Sequence, residues 1–395
     1  MDWRTRIFLI FFSLLALPAL GQGGVEVSLL TCAPGQESYS RYGHTALRVR
    51  DDSAHTDLVY NYGVFSFDKP HFVWRFILGE TDYSVEAVPF KLFVPLYTQQ
   101  GRFVEEQVLS LSDAEARAVR DAVAANVAEE GWTYRYNFLA DNCSTRPIKM
   151  VGEACGGLKL APNRQHQTFR DIIHNHVGGS ENWTSFGQDL ILGADVDTLV
   201  SAEARLAFPL LAAEELADAT VSDSLGHERP LVKATRNYPA TAAALVEAAT
   251  PWTPWVVAGL ALLLALWLSV CDWRRGSLRW WSNAFDYVLL LVQGAAGCLV
   301  ALLFFCSAHP AVGSNHLLVL LNPLPLLWLP LKTVRLGSRR RDWFLKCIEP
   351  ILLLGYVLTI FLQKYPGPMH ILALILLVRS LVHLTLRQNY EKSDT

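Results

Sequence analysis

Apolar residues are distributed in three successive ways along this chain of 395 residues. A short apolar run opens it, alternating and helix-period patterns fill the next two hundred residues, and long unbroken apolar stretches close it. The opening has Arg4 and Arg6, then an apolar run from Ile7 to Leu17, then small residues around Ala19-Leu20-Gly21. That order predicts a secretory signal peptide over residues 1–21, with an uncleaved anchor as the alternative; either way the following segment is exported. Residues 22–250 have the charge spacing of a soluble domain and enough length to bury a core. Alternation there predicts strands over Val25–Leu30, Thr45–Arg50 and Asp57–Tyr62, with a turn at Asp51-Asp52-Ser53 inside the meander. Ser112-Asp113-Ala114-Glu115 is a capping box; Val119, Val123 and Val127 mark the buried face of the helix it starts, and Gly131 ends it.

From Pro251 the apolar stretches approach the roughly 20 residues that a spanning helix needs. Five spans are predicted within 251–386, near Trp252–Val270, Ala284–Cys306, Asn315–Leu331, Ile348–Leu362 and Met369–Leu386. The third contains Pro323, Pro325 and Pro330 and is expected to be kinked or partly re-entrant. Arg274, Arg275 and Arg279 follow the first span, and Lys332, Arg335 and Arg339 to Arg341 follow the third. The positive-inside rule makes both loops cytoplasmic, which leaves the large domain outside and the tail, residues 387–395, inside.

Charge and composition narrow the partners. A net charge of −3 without a basic patch argues against nucleic acid. No glycine-rich phosphate loop or paired metal-ligand motif occurs, so neither cofactor nor metal is expected. His166, Arg170 and His174 share a helical spacing, and with His176 they read as a solvated face. Arg41, Arg48 and Arg146 are candidates for a lipid phosphate, Arg146 foremost because it neighbours Cys143. The aromatic-rich stretch from Tyr60 to Ile77 reads as core, an acyl groove or an interfacial segment.

Of seven cysteines, only Cys32, Cys143 and Cys155 lie in the exported domain. An odd count in an oxidising compartment leaves one thiol unpaired within the chain, and a Cys32–Cys155 bridge would leave Cys143. Tyr134–Leu139 leads into Asp141-Asn142-Cys143, and Ile148 to Val151 has helical character, which places Cys143 near a helix N-terminus with Pro147 in an early turn. There the dipole lowers a thiol pKa and backbone N–H groups are expected to receive an oxyanion. His44, at the start of a strand, is the candidate base. For the group orienting it Asn61 is the first choice; Tyr62, Tyr42, Asp141 and His55 are alternatives.

These residues carry a resemblance. A strand histidine followed by a helix cysteine resembles the circularly permuted branch of the NlpC/P60 papain-like superfamily. Tyr42-Gly43-His44-Thr45-Ala46-Leu47, Tyr60-Asn61-Tyr62-Gly63-Val64-Phe65 and Asp141-Asn142-Cys143-Ser144-Thr145 resemble the Lnb N-terminal periplasmic domain family, and the multi-span half resembles full-length Lnb. The resemblance implies an α+β papain-like domain, followed by a helical membrane domain, in the bacterial inner membrane. It implies a lipoprotein N-acyltransferase in which Cys143 takes an acyl chain from a membrane phospholipid as a thioester. The acceptor is the α-amino group of the diacylglyceryl-cysteine of a lipoprotein. Tyr42, Tyr62, Asn142 and Arg146 are then candidate substrate contacts. A hydrolase of cell-wall peptides or phospholipids, and a non-enzymatic membrane assembly factor, are the competing readings.

Overall fold

A computed structural model describes residues 24–129, 131–162, 165–222, 226–243, 250–333 and 344–393. The signal-peptide segment and the basic residues Arg335 and Arg339 to Arg341 lie outside the described residues. Among the described residues nine strands occur in chain order: β1 Val25–Cys32, β2 His44–Asp51, β3 Thr56–Val64, β4 Asp82–Pro89, β5 Val104–Leu109, β6 Tyr134–Arg135, β7 Thr220–Ser222, β8 Glu228–Pro230 and β9 Val232–Tyr238. The helices before the membrane region are α1 Phe72–Ile77, α2 Phe90–Thr98, α3 Asp113–Ala128, α4 Thr145–Ala154, α5 Phe169–His176, α6 Trp183–Ile191, α7 Ala202–Arg205 and α8 Pro209–Ala217. Five follow: α9 Pro254–Arg275, α10 Trp280–Cys306, α11 Leu324–Thr333, α12 Glu349–Thr359 and α13 Gly367–Ser393. The chain folds as two compact units. One comprises residues up to Ser66 with Asp82–Pro162 and Ala202–Leu245; the other comprises Phe67–Thr81, Asn163–Ser201 and Val246 onward.

In the first unit a seven-stranded sheet runs in the order β6-β4-β3-β2-β1-β5-β9, with antiparallel neighbours. The expected meander is its centre, and Asp51 Oδ1 closes the β2–β3 turn by accepting from the Ser53 and Ala54 N–H groups, both at 3.0 Å. Alternation sorts side chains onto two buried faces. Val27, Leu29, Leu47, Val49, Tyr60 and Tyr62 pack with α3 and α4, while Leu30, Cys32, Ala46, Val59 and Val104 pack with Phe93 of α2. The capping box forms, Glu115 N–H to Ser112 Oγ at 3.3 Å and Ser112 N–H to Glu115 Oε2 at 2.6 Å. Val119 and Val123 are buried, but Val127, expected with them, is 40% exposed in the last turn of α3.

The Cys32–Cys155 bridge that the odd cysteine count left open does not form. Both residues are unpaired thiols and pack in the two different core clusters on opposite faces of the sheet. Burial pushes the Cys32 thiol far up and that of Cys155 up to about 11, so both stay protonated and inert.

Among the described residues of the second unit three helices are long and apolar enough to cross a membrane: Pro254–Arg275, Trp280–Cys306 and Gly367–Leu386. The segments expected as third and fourth spans are interrupted. The third is a 3-10 turn, His316–Val319, then α11; the fourth is a π-turn, Phe344–Ile348, then the 11 residues of α12. Small residues on α10 let that broken backbone approach: a Cβ on Gly297 would lie 2.2 Å from the Asn322 carbonyl carbon. Gln293 Nε2 donates to Leu320 O at 2.9 Å, satisfying a carbonyl that no helix serves. Three crossing helices are tied by one buried cation. Arg379 on α13 reaches Asp286 on α10 at 2.6 and 2.9 Å, and Asp272 and Ser269 on α9 at 3.2 and 3.1 Å.

Two sequence readings, one in α5 and one in β2, need correction. Arg170 and His174 do not line a solvated face: Arg170 is buried against Asp189 and Asp197, and His174 Nε2 lies 3.0 Å from Asp189. Their acidic partners stand on the next helix and beyond it, so the cluster closes only in three dimensions. Arg48 is likewise buried, bonded to Asp57 at 2.7 and 2.8 Å and to Glu106 at 2.8 Å, and is not available to a phosphate.

Candidate active site

Strand alternation brings the first two site residues together. Ala46 and Val59 share one face of the sheet, so His44 and Asn61, two residues along each strand, share it as well. β2 begins at His44 and its antiparallel neighbour β3 ends at Val64, which puts both residues at one end of the hairpin. His44 Nε2 is hydrogen-bonded to Asn61 Oδ1. That bond fixes the ring and leaves its other nitrogen for the Cys143 thiol, to which the imidazole is also hydrogen-bonded. Tyr97 lies parallel to the imidazole, with centroids 6.2 Å apart.

Cys143 stands one residue before the N-cap of α4 and is buried. Its approach to the sheet depends on Gly63. This residue lies at the bulge between Tyr62 and Val64 with φ +91°, and a Cβ there would fall 3.3 Å from Cys143 Cβ and 3.4 Å from Tyr136. Any side chain would strain the backbone and wedge the nucleophile away. The Thr45 backbone N–H and the Tyr136 hydroxyl both donate to the sulfur, the latter at 3.8 Å. Tyr136 is itself buttressed by the Tyr83 ring, 4.4 Å away.

Burial opposes charge on both Cys143 and His44, yet the balance goes the other way for each. The His44 charge and hydrogen bond, with the Thr45 and Tyr136 donors, hold the thiol below its ordinary range. Cys143 and Asn61 hold the imidazole above its own. Both shifts move the pair toward thiolate and imidazolium, which is the reactive form of a nucleophilic cysteine.

The remaining sequence candidates take other positions. Tyr62 faces the opposite side of the sheet, where its hydroxyl accepts from Asn126 at 2.9 Å and contacts Met150 Sδ at 3.3 Å, so it does not join the site. Asn142 is 2% exposed and acts on the backbone. Its Nδ2 donates to Phe138 O and Ala207 O, both at 2.8 Å, and its Oδ1 accepts from Ser144 N–H at 2.8 Å and Thr145 N–H at 3.0 Å. Those are the N–H groups expected to receive an oxyanion; they are already occupied. Arg146 is paired with Asp141 and lies over the Tyr134 ring at 4.1 Å, on the wall of a cavity of about 960 Å³ shared with Trp132, Lys149 and Leu206. Tyr42 packs edge-on to Phe138 at 4.9 Å. His55 sits in the β2–β3 turn with φ +53°, at the far end of the hairpin from His44.

Sequence reasoning missed Tyr136, Gly63 and the Thr45 N–H. Tyr134 and Tyr136, at i and i+2 just before the Asn-Cys pair, were the available signal for the first.

A sheet-and-helix domain that carries a buried thiol–imidazole pair is followed in the same chain by helices long and apolar enough to cross a membrane, the organisation of a membrane-anchored thiol protein. The chain belongs to the Lnb family: residues 22–175 match the Lnb N-terminal periplasmic domain and residues 246–391 match the Lnb transmembrane domain. It is accordingly a membrane protein with a periplasmic domain. No curated protein and no solved structure matches it.

Proposed function

We propose that the protein is a lipoprotein N-acyltransferase working by two acyl transfers through Cys143. The thiolate attacks an ester carbonyl of a membrane phospholipid; the C–O bond breaks and the His44 imidazolium gives its proton to the departing alkoxide. The acyl group then waits as a thioester. The α-amino group of a diacylglyceryl-cysteine attacks it, His44 takes the amine proton, and the C–S bond breaks to restore thiolate and imidazolium. Asn61 holds the ring through both steps. The observation that carries this reading is the bonded series Asn61–His44–Cys143 in a chain whose two halves match the two Lnb domains.

The Tyr136 hydroxyl takes the part of oxyanion donor. An oxyanion on the attacked carbon lies within about 3 Å of the sulfur, inside hydrogen-bond reach of a hydroxyl 3.8 Å from Sγ. A cysteine just ahead of a helix and a strand-borne histidine, in this chain order, support a permuted papain-like arrangement. We further place the protein in the inner membrane with residues 22–250 facing the periplasm. The interrupted segments 316–333 and 344–359 would complete five crossings, consistent with the basic loops. Both substrates reside in the membrane, so anchoring the thiol domain there favours their encounter.

The test is mass spectrometry of lipoprotein N-terminal peptides from cells lacking native N-acylation, supplied with this protein or with Cys143→Ala. An N-linked acyl chain is expected only with the unaltered protein. A mass gain of one acyl chain identifies a phospholipid donor; an unchanged mass, with the chain moved from glycerol to nitrogen, identifies the acceptor's own ester instead. Acylation by both proteins would remove Cys143 from the mechanism. Hydrolysed lipid without N-acylation would favour the hydrolase.

A further inference from the structure

Between β3 and β4 the chain leaves the sheet for the segment Phe67–Thr81, which folds with the helical unit. Its short helix α1, sequence Phe-Val-Trp-Arg-Phe-Ile, has no buried residue. Phe67, Val73 and Trp74 are 66%, 69% and 53% exposed. Such a cluster is more than scattered surface apolarity and needs an occupant.

The attachment of this segment identifies the occupant. Ser307 Oγ donates to Ile77 O and Ala308 N–H to Leu78 O, both at 2.8 Å, and His309 Nε2 lies 2.5 Å from Phe76 O. Gly79, with φ +71°, permits this approach: a Cβ there would meet His309 N at 2.8 Å. Residues 307–309 directly follow α10, a helix of membrane-crossing length. The loop is therefore pinned at the level where a span leaves the hydrocarbon. Rings at Phe67, Phe72, Phe76 and His309 form a ladder with successive centroids 4.9, 6.0 and 5.5 Å apart. On α10 itself Phe305 and Leu299 are also exposed apolar residues. Lys69 and Arg75 lie among these rings in sequence, the mixture of aromatic and basic residues that suits the headgroup boundary.

We propose that Phe67–Thr81 is an interfacial loop that inserts Phe67, Val73 and Trp74 into the headgroup–acyl boundary of the leaflet where α10 ends, and that it gathers the lipid ester for the thiol site. At most about 20 Å of extended chain separates Asn61 from Phe67, which bounds how far the first residue of the loop can stand from the site strand. The second clause rests on the acyl-transfer reading; insertion itself does not.

Photo-crosslinking separates the two. The full-length protein, in vesicles of phosphatidylethanolamine and phosphatidylglycerol, carries p-benzoylphenylalanine in place of Val73 or Trp74. Leu299 on α10 serves as the lipid-facing control and the exposed Glu86 as the solvated one. Phospholipid adducts at Val73 and Trp74, as at Leu299 and unlike Glu86, are expected. Adducts to a second copy or to another polypeptide, or a pattern like that of Glu86, overturn the proposal. For catalysis, Val73→Asp with Trp74→Asp is expected to lower transfer from phosphatidylglycerol about tenfold or more. Acylation of Cys143 by water-soluble p-nitrophenyl acetate should stay within about twofold. Equal loss with both donors, or undiminished transfer from phospholipid, overturns the gathering role. If the unaltered protein acylates Cys143 from neither donor, the acyl-transfer reading fails and the crosslinks alone decide insertion.

Discussion

The thiol site and the buried cluster around Arg379 both hold charge out of water, yet they are built to opposite ends. In the membrane unit one guanidinium is shared by two carboxylates from two helices, and each of its three nitrogens is bonded: Nε and Nη2 to Asp286, Nη1 to Asp272 and Ser269. Arg379, Asp272 and Asp286 are fully buried, and His383 adds a further bond to Asp286 at 2.8 Å. In the thiol site, the sulfur receives two neutral donors and one imidazole, and its Tyr136 bond is long. A fully bonded ion has nothing left to react with. A thiolate held chiefly by one movable proton can give itself to a carbonyl while its neighbour keeps the charge balanced. Burial alone does not distinguish structural from chemical charge; the count and quality of partners does.

Breaking each side should expose this difference. Cys143→Ala is expected to lower acyl transfer by at least about 10³-fold with no measurable loss of folding, since it removes only the sulfur and leaves an imidazole that can shed its proton. Turnover of N-terminal lipopeptide checks the first and thermal unfolding the second. Arg379→Met should do the reverse. It leaves buried carboxylates facing each other without their shared cation, at a cost of about 3–5 kcal/mol, seen as a lowered midpoint in detergent. Cys143 alkylation in the surviving folded fraction should be unchanged. Loss of alkylation with retained stability would mean that Arg379 acts on the chemistry.

Tyr136→Phe is the next test in size. It keeps the ring against Tyr83 and deletes only the hydroxyl, so kcat should fall about 10²-fold with KM nearly unchanged if the hydroxyl serves the oxyanion. Equal loss of alkylation by a small haloacetamide, which forms no oxyanion, would reduce Tyr136 to a positioning group for the sulfur.

How far the sequence could be read follows the same division between local and assembled features. β1, β2 and β3 were visible because each strand faces a packed layer and a slip of one residue would reverse it. Ser112 and Glu115 were visible because a capping box closes within four residues. Val127 misled because helical period names a stripe, and that stripe stops being covered in the last turn of α3. Asn142 looked like a substrate contact beside the nucleophile, although a short amide preceding a helix commonly caps it. The same alternation that put Asn61 beside His44 sends Tyr62 to the other core, a distinction available from the strand itself. Arg170, Tyr136 and the loop pinned by Gly79 were illegible for another reason. Their partners, Asp189, Cys143 and His309, lie on other elements, and no local pattern encodes a meeting that the tertiary fold creates.

The finest test concerns Asn61, whose effect should be small and directional. The ion pair exists between two macroscopic titrations, one that forms it as pH rises and one that discharges the imidazolium at higher pH. Because the thiol is lowered and the imidazole raised, alkylation of Cys143 should persist below the ordinary thiol range. His44→Ala removes the attraction and leaves burial to act, so the same alkylation should retreat to alkaline pH. Asn61 accepts from the imidazole and favours its charged form. Asn61→Ala acts on the imidazolium, which is present on both sides of the acid limb, so it should make the pair easier to discharge without making it harder to form: the acid limb stays nearly in place, the alkaline limb moves down, and the window narrows from its alkaline end. One lost hydrogen bond is worth about 1 kcal/mol, so the alkaline limb should move by less than about one pH unit. A pH series of iodoacetamide rates on the purified full-length protein measures both limbs at once. If the acid limb moves as well, Asn61 also acts on the thiol; if neither moves, the ring is oriented by Tyr97 and the strand without it.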